Sequence, residues 1–331
     1  MKINTNRNIK IATVALITMS LFCVAARAEE MVPRRIDGTF VPKSTSNRWP
    51  IAVMIDNHTA ARPQVGLDKA SVVYETLAEG GIPRFMAVFV QPNIKRIGPV
   101  RSARPYFIRY AAEYRAGFAH AGGSPDALNL LRSLRMPNFE GIKGKTAKYF
   151  FRYGGTGVHN LFTNTLQLTR ALKQAKYDKF VPYYRAWQFT DDPPMSVRKK
   201  GKHGTEVDLG AGLAYRIRYE YDRSKNVYKR FTGGEPLVDR ITKKQVVAKN
   251  VILLLVPKEK VLDRKGRLDI KTLGRGKAIL LQNGNATTVT WSKPTTYSRT
   301  MFKTKDNKEV VFTRGSIWIT IIPAGHKYKI F

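Results

Sequence analysis

The spacing of apolar residues changes once along this 331-residue chain, and that change limits what it can fold into. From Trp49 to about residue 190, short apolar runs alternate with stretches of helical spacing; beyond about residue 200 the period is two. In the first region Ile51–Ile55 is a continuous apolar run ending in Asp56-Asn57-His58, which reads as a buried strand with a polar loop at its carboxyl end. Residues 72–77 and 85–90 read as two further strands, with Gly80-Gly81 as the tight connection between them. Helices are predicted over 106–114, 125–134 and 164–176, with a short strand at 117–121 between the first two. Ser124 is placed to cap the second helix, Pro125 fits its first turn, and Asp126 complements its dipole.

In the second region, 215–221 alternates and 227–231 returns; 251–256, 278–281, 287–291, 310–312 and 317–322 follow as strands. Asn283-Gly284 is the strongest hairpin signal. No helix is predicted after residue 200, and no internal repeat is visible. The expected class is α+β: an α/β domain over 49–195 with a mixed sheet and flanking helices, then a mostly antiparallel β domain over 196–331. Thr190–Pro194 and the basic tract 198–202 mark the boundary, and residues 29–48 read as an extended lead-in.

Residues 1–28 read as a secretory signal, with Lys2, Arg7 and Lys10 before an apolar stretch and Ala26-Arg27-Ala28 as the cleavage site. An uncleaved anchor is the alternative. The only cysteine, Cys23, follows Phe22, where lipid attachment wants a small residue, so no lipoprotein anchor is expected. A mature chain starting at Glu29 then has no cysteine, which excludes disulfides, thiolate chemistry and Cys-ligated zinc. Without a His-x-x-x-His pair, no dedicated metal site is predicted.

The net charge is +34, and the second half is the more basic, with 30 basic and 11 acidic residues over 196–331. Such a field favours polyanionic partners. Outside the cytoplasm these are anionic envelope polymers, phosphorylated precursors or a membrane surface; nucleic acid is disfavoured. Solubility alone accounts for the same charge. Tyr215, Tyr219, Tyr221 and Tyr228 interleave with Arg216 and Arg218. The pattern suits either a stacking surface or a strand with one exposed basic face.

Residues 97–105 put Arg101 and Arg104 where a strand hands over to a helix. A helix N-terminus already carries partial positive charge, so arginines there point to an incoming anion. Gly122-Gly123-Ser124 leads from a strand into the next helix and either approaches a phosphate or is an ordinary capped turn. It matches neither a Walker loop nor a dinucleotide fingerprint. His120, just before it, is a candidate general base or a structural histidine. Asp56 is a candidate catalytic carboxylate that orients an arginine, holds a divalent cation under an enzyme reading, or makes a turn. Arg84 joins the candidate anion ligands, with Glu75 and Glu79 as its own ion-pair candidates. The second glycine-rich loop, 154–160, ends in His159-Asn160 and either covers a ligand or is a plain connection.

Together these residues resemble the YerB-like family of exported bacterial proteins. The resemblance rests on Ala52–His58, Tyr74-Glu75, Glu79–Ile82, Arg84-Phe85, Gly98–Arg104, His120–Pro125 and Gly157–Asn160. It extends to Gly274–Lys277, Trp291–Lys293 and Trp318 and covers about residues 45–325. It implies an α/β N-terminal and a β-rich C-terminal domain and brings no assigned activity. Members are often lipoproteins, a pattern from which Phe22-Cys23 departs. By a fainter analogy with LytR-CpsA-Psr transferases, phosphoryl or pyrophosphoryl transfer is the alternative to simple anion binding. Arg101–Arg104 lacks the carboxylate of their Arg-Asp pair.

Overall fold

Ile51–Ile55 (β1), Val72–Leu77 (β2) and Pro83–Phe89 (β3) are buried almost throughout. Strands buried at nearly every position belong inside a sheet covered on both faces. In the computed structural model they lie within one ten-stranded sheet. The structure describes residues 29–154, 157–177, 183–198 and 204–331. The expected signal segment, the middle of the 154–160 loop and most of the 198–202 tract lie outside them.

The N-terminal half supplies β1–β3 and helix α1 (Pro105–Ala112), then β4 (Gly117–His120), α2 (Pro125–Ser133), β5 (Asn138–Glu140) and α3 (Thr165–Gln174). The C-terminal half supplies β6 (Thr205–Asp208), β7 (Ile217–Asp222), β8 (Val227–Thr232), β9 (Glu235–Pro236) and β10 (Asn250–Val256). It continues with β11 (Gly274–Gln282), β12 (Asn285–Lys293), β13 (Met301–Lys303), β14 (Ile317–Pro323) and β15 (Lys327–Ile330). The fold is α+β with a β-rich C-terminal part. Beyond residue 204 the only helical turn among the described residues is Leu213–Tyr215.

The large sheet crosses between the halves. Its order is β13-β12-β11-β10-β14-β2-β3-β1-β4-β5. β14 lies parallel to both neighbours, with Trp318 opposite Val251 and Ile319 opposite Tyr74. Five C-terminal strands thus extend the N-terminal sheet, while β9-β8-β7-β6-β15 forms a separate antiparallel sheet. At the tip of the β11–β12 hairpin Asn283 (φ 53°) and Gly284 (φ 72°) take the left-handed conformations that a type I′ turn requires.

Alternation along β2 shows how the layers stack, because neighbouring residues on a strand face opposite sides. Tyr74 stacks on Tyr110 of α1 at 4.7 Å. Glu75 meets Arg230 of β8 at 2.8 and 2.9 Å on the other side. Trp318 donates Nε1–H to Glu75 at 3.1 Å and packs against Phe85 and Tyr219. The large sheet is therefore covered by α1 on one face and by the smaller sheet on the other. Glu113, just after α1, accepts from Tyr74, Lys293, Arg299 and Thr300, fixing the β12–β13 connection to the helix end. The lead-in is ordered too: Met31–Pro33 pairs with Phe40–Pro42, Ile36 is buried, and Arg34 pairs with Asp37.

Candidate functional site

β1 carries its chain straight to Asp56 at the carboxyl end of the sheet, where ligands of open α/β sheets gather. The segment 98–103 is stitched alongside: Asp56 donates its amide to Pro99 O, Arg101 to Met54 O, and Ala103 to Gly122 O. Gly98 is needed there, because at φ 146° a Cβ would lie 2.9 Å from Leu161 O. This lacing ends at Arg104, the extended residue before α1, with Pro105 in the first turn.

Asp56, Glu79, Arg84, Arg101, Arg104, Gly123 and Ser124 all line one cleft of about 500 Å³. His58, Ser102, Lys265 and Arg267 complete its polar wall. Arg101 Nε pairs with Asp56 Oδ2 at 3.1 Å. Arg104 pairs closely with Glu79, and Arg84 reaches the same carboxylate at 3.4 Å and Ser102 O at 3.1 Å. Five basic side chains thus face two carboxylates. The crowding shows in Arg84: burial first, and then the Arg104 charge beside it, lower its proton affinity below that of an ordinary arginine. Burial pushes the Glu79 carboxyl up, but the Arg104 hydrogen bond and charge outweigh it and leave it below the usual carboxylate value.

Asp56 is the hub. It is 3% exposed, and its Oδ1 accepts the His58 amide at 2.9 Å. Its Oδ2 meets His159 Nδ1 at 2.7 Å as well as Arg101. The His159 ring stacks on His58 at 4.8 Å. An Nδ1–H donated to Asp56 leaves His159 Nε2 unprotonated in the neutral ring. These residues do not fit a divalent cation. Both Asp56 oxygens are engaged, and no group of three or more His, Cys, Asp or Glu side chains suited to a metal occurs among the described residues.

Three sequence candidates fall elsewhere. His120 is fully buried, and its two nitrogens lie 2.7 Å from Gly122 O and 2.7 Å from Asn138 Oδ1, so it has no nitrogen left for chemistry. The Gly122 amide donates to both Glu140 oxygens, at 2.9 and 3.1 Å; the anion this loop meets is the chain's own. Asn160 is 3% exposed and accepts from Arg152, holding its loop rather than facing the cleft. Ser124 caps α2 by accepting the Ala127 amide at 3.3 Å. Tyr219 and Tyr228 turn inward, and Arg216 and Arg218 pair with Asp208 and Glu220, which is the pattern of a strand with one exposed basic face, not of a stacking surface.

Lys265 and Arg267 carried no signal in the sequence, since a hairpin far along the chain brings them in. Lys260–Val261 pairs with Leu268–Asp269, and Arg267 is held by Asp263 at 2.6 Å. His58 was visible only as part of the polar end of β1.

Family models for two domains match this architecture: "Protein of unknown function (DUF3048) N-terminal domain" over residues 38–178 and its C-terminal counterpart over 207–319. The protein described as "Putative lipoprotein YerB" of Bacillus subtilis (strain 168) is 31% identical over 290 residues, covering 87% of this chain and 85% of its own. The chain belongs to the YerB-like family. The crystal structure of the Bacillus subtilis YerB protein superposes with a TM-score of 0.78 at 30% identity, over 90% of this chain and 99% of that one. The cleft residues Asp56 to Arg104 lie inside the N-terminal family match, and Lys265 and Arg267 inside the C-terminal one.

Proposed function

We propose that this chain is an exported cell-envelope protein whose cleft binds a phosphate-bearing ligand. Export is supported by the basic and apolar leader and by the naming of the Bacillus subtilis relative as a lipoprotein. No helix among the described residues is long and apolar enough to cross a membrane. Acylation of Cys23 decides how the chain is held, and mass spectrometry of wild type against Cys23→Ala reads it.

One observation carries the ligand reading: Arg84, Arg101, Arg104, Lys265 and Arg267 line one hollow in which Asp56 and Glu79 are the lining carboxylates, with Asp263 also holding Arg267. Arginine matches phosphate through paired N–H groups, and Arg101 lines the cleft while meeting Asp56 through Nε. Inorganic pyrophosphate should raise the melting temperature of wild type in low salt, with the gain shrinking as salt rises. Equal shifts in wild type and Arg101→Ala would remove the cleft from the account.

The Asp56–His159 pair favours a second reading, phosphoryl or pyrophosphoryl transfer. Asp56 orients the ring, His159 Nε2 takes the proton of the attacking hydroxyl, whose oxygen bonds to phosphorus as the P–O bond to the departing phosphate breaks, and the arginines stabilise charge on the transferring and leaving groups. Phosphate release from a pyrophosphate ester, lost in His159→Gln while pyrophosphate binding persists, supports this reading. Binding without turnover leaves the first.

A further inference from the structure

The hairpin that supplies Lys265 and Arg267 carries more than the cleft uses. It leaves the large sheet after β10, turns through 263–266 with Leu262 donating its amide to Arg267 O, and returns to β11. Its tip abuts the Glu79–Gly81 turn, since a Cβ on Gly266 would lie 3.9 Å from Gly80 N. One side of the hairpin therefore walls the cleft.

Side chains alternate along Lys260–Leu262, so the hairpin is exposed on both faces, and Leu262 also borders a groove with Leu130 and Leu268. Lys258, Lys260, Arg264 and Lys271 are open to solvent and have no ion-pair partner among the described residues. Of the acids in the hairpin, Glu259 lies against His326, Asp263 pairs with Arg267, and exposed Asp269 stands opposite Lys260, so six basic side chains meet three carboxylates and residues 257–273 keep a net charge of +3. Within the basic set stand two adjacent apolar side chains, Val261 at 63% and Leu262 at 48% exposure. A solubility device has no use for exposed Val and Leu at consecutive positions of one hairpin. Basic residues flanking a short apolar pair match an anionic lipid surface, where charge draws the protein in and apolar side chains enter the headgroup boundary.

We infer that residues 257–273 form a membrane-docking hairpin that seats Val261 and Leu262 in an anionic bilayer with the basic side chains on its headgroups. The docking stands on this hairpin and not on the cleft reading. Its consequence for the cleft is one of position: Lys265 belongs to both, so the cleft mouth lies at headgroup level, and a phosphate on a lipid reaches it without leaving the membrane.

The test is vesicle co-sedimentation of the purified protein, produced without acyl modification. Vesicles of phosphatidylcholine with about one-third phosphatidylglycerol are compared with pure phosphatidylcholine. Wild type should bind the anionic vesicles at least roughly tenfold better. Lys258→Ser/Lys260→Ser should weaken that binding roughly twentyfold, since each charge near the surface contributes about fivefold. Val261→Ser/Leu262→Ser keeps every charge and should still weaken binding severalfold, while pyrophosphate-induced stabilisation stays at the wild-type value. If Val261→Ser/Leu262→Ser binds vesicles like wild type and soluble polyphosphate strips the protein off completely, the surface is a polyanion site and the membrane assignment is overturned. Equal binding by wild type and the Lys258→Ser/Lys260→Ser variant overturns it as well. Failure of vesicle binding with pyrophosphate binding intact sinks the hairpin inference alone.

Discussion

Replacing Arg230 by Met tests how the two sheets are held together. Arg230 is fully buried, donates two hydrogen bonds to the equally buried Glu75, and lies over the rings of Tyr219 and Trp318 at 5.1 and 5.4 Å. Methionine keeps most of the apolar contact and removes the charge. Glu75 is then a buried carboxylate whose one remaining close donor among the described residues is the Trp318 N–H. Breaking a buried pair from one side costs about 3–5 kcal/mol. In a chain of this size that lowers the melting temperature by roughly 10 °C. The double variant Glu75→Gln/Arg230→Met leaves no orphan charge and should recover about 1–3 kcal/mol of the loss, read as a coupling energy in a double-mutant cycle from urea unfolding. The pH dependence follows. Burial already holds the Glu75 carboxyl above its ordinary value, against the pull of Arg230. Without Arg230 it rises further, so the folded state binds a proton that the unfolded state releases. The stability of Arg230→Met should therefore increase as pH falls through that raised value toward about 4. Additive single and double losses, or no recovery on acidification, would show that the pair does not bind the layers as described.

The Asp68 side chain is 8% exposed, its Oδ1 has no hydrogen-bond partner among the described residues, and burial, with Asp239 beside it, raises its proton affinity. Asp68→Asn should stabilise the protein by about 1 kcal/mol at pH 7. The gain should vanish in thermal melts below about pH 4, where the aspartate is protonated in folded and unfolded chains alike. His120→Ala unpairs Gly122 O and the Asn138 side chain, and should cost about 3 kcal/mol in denaturant titrations without altering pyrophosphate affinity. A catalytic or ligand-binding His120 would show the opposite pattern.

Local chemistry carried much of this fold in plain view. The all-apolar Ile51–Ile55, the Asn283-Gly284 turn, the Ser124 cap and the extended Arg104 before Pro105 are each fixed by the preferences of a few neighbouring residues. Strand order is not local. Ile317–Pro323 reads as a buried strand, but nothing within it says that it lies between β10 and β2, so the joining of the two halves into one sheet could not be read off. The candidate site divides in the same way. The arginine pair was legible because its charge is misplaced at a helix start. The two histidines were not separable, since both neighbour glycine-rich loops. Only the fold turns His120 inward and brings His159 onto Asp56, 103 positions away. Glu140 filling the Gly122 amide, and Lys265 and Arg267 closing the cleft, are likewise contacts between distant segments.

Isothermal titration of pyrophosphate into wild type and Arg101→Ala, at low salt and neutral pH, tests the cleft most directly. Loss of a charge-assisted contact to phosphate, about 1.5–3 kcal/mol, should weaken binding by the folded variant roughly ten- to hundredfold. Identical affinities, or no heat from wild type at millimolar pyrophosphate, would mean that these arginines serve only Asp56 and Glu79.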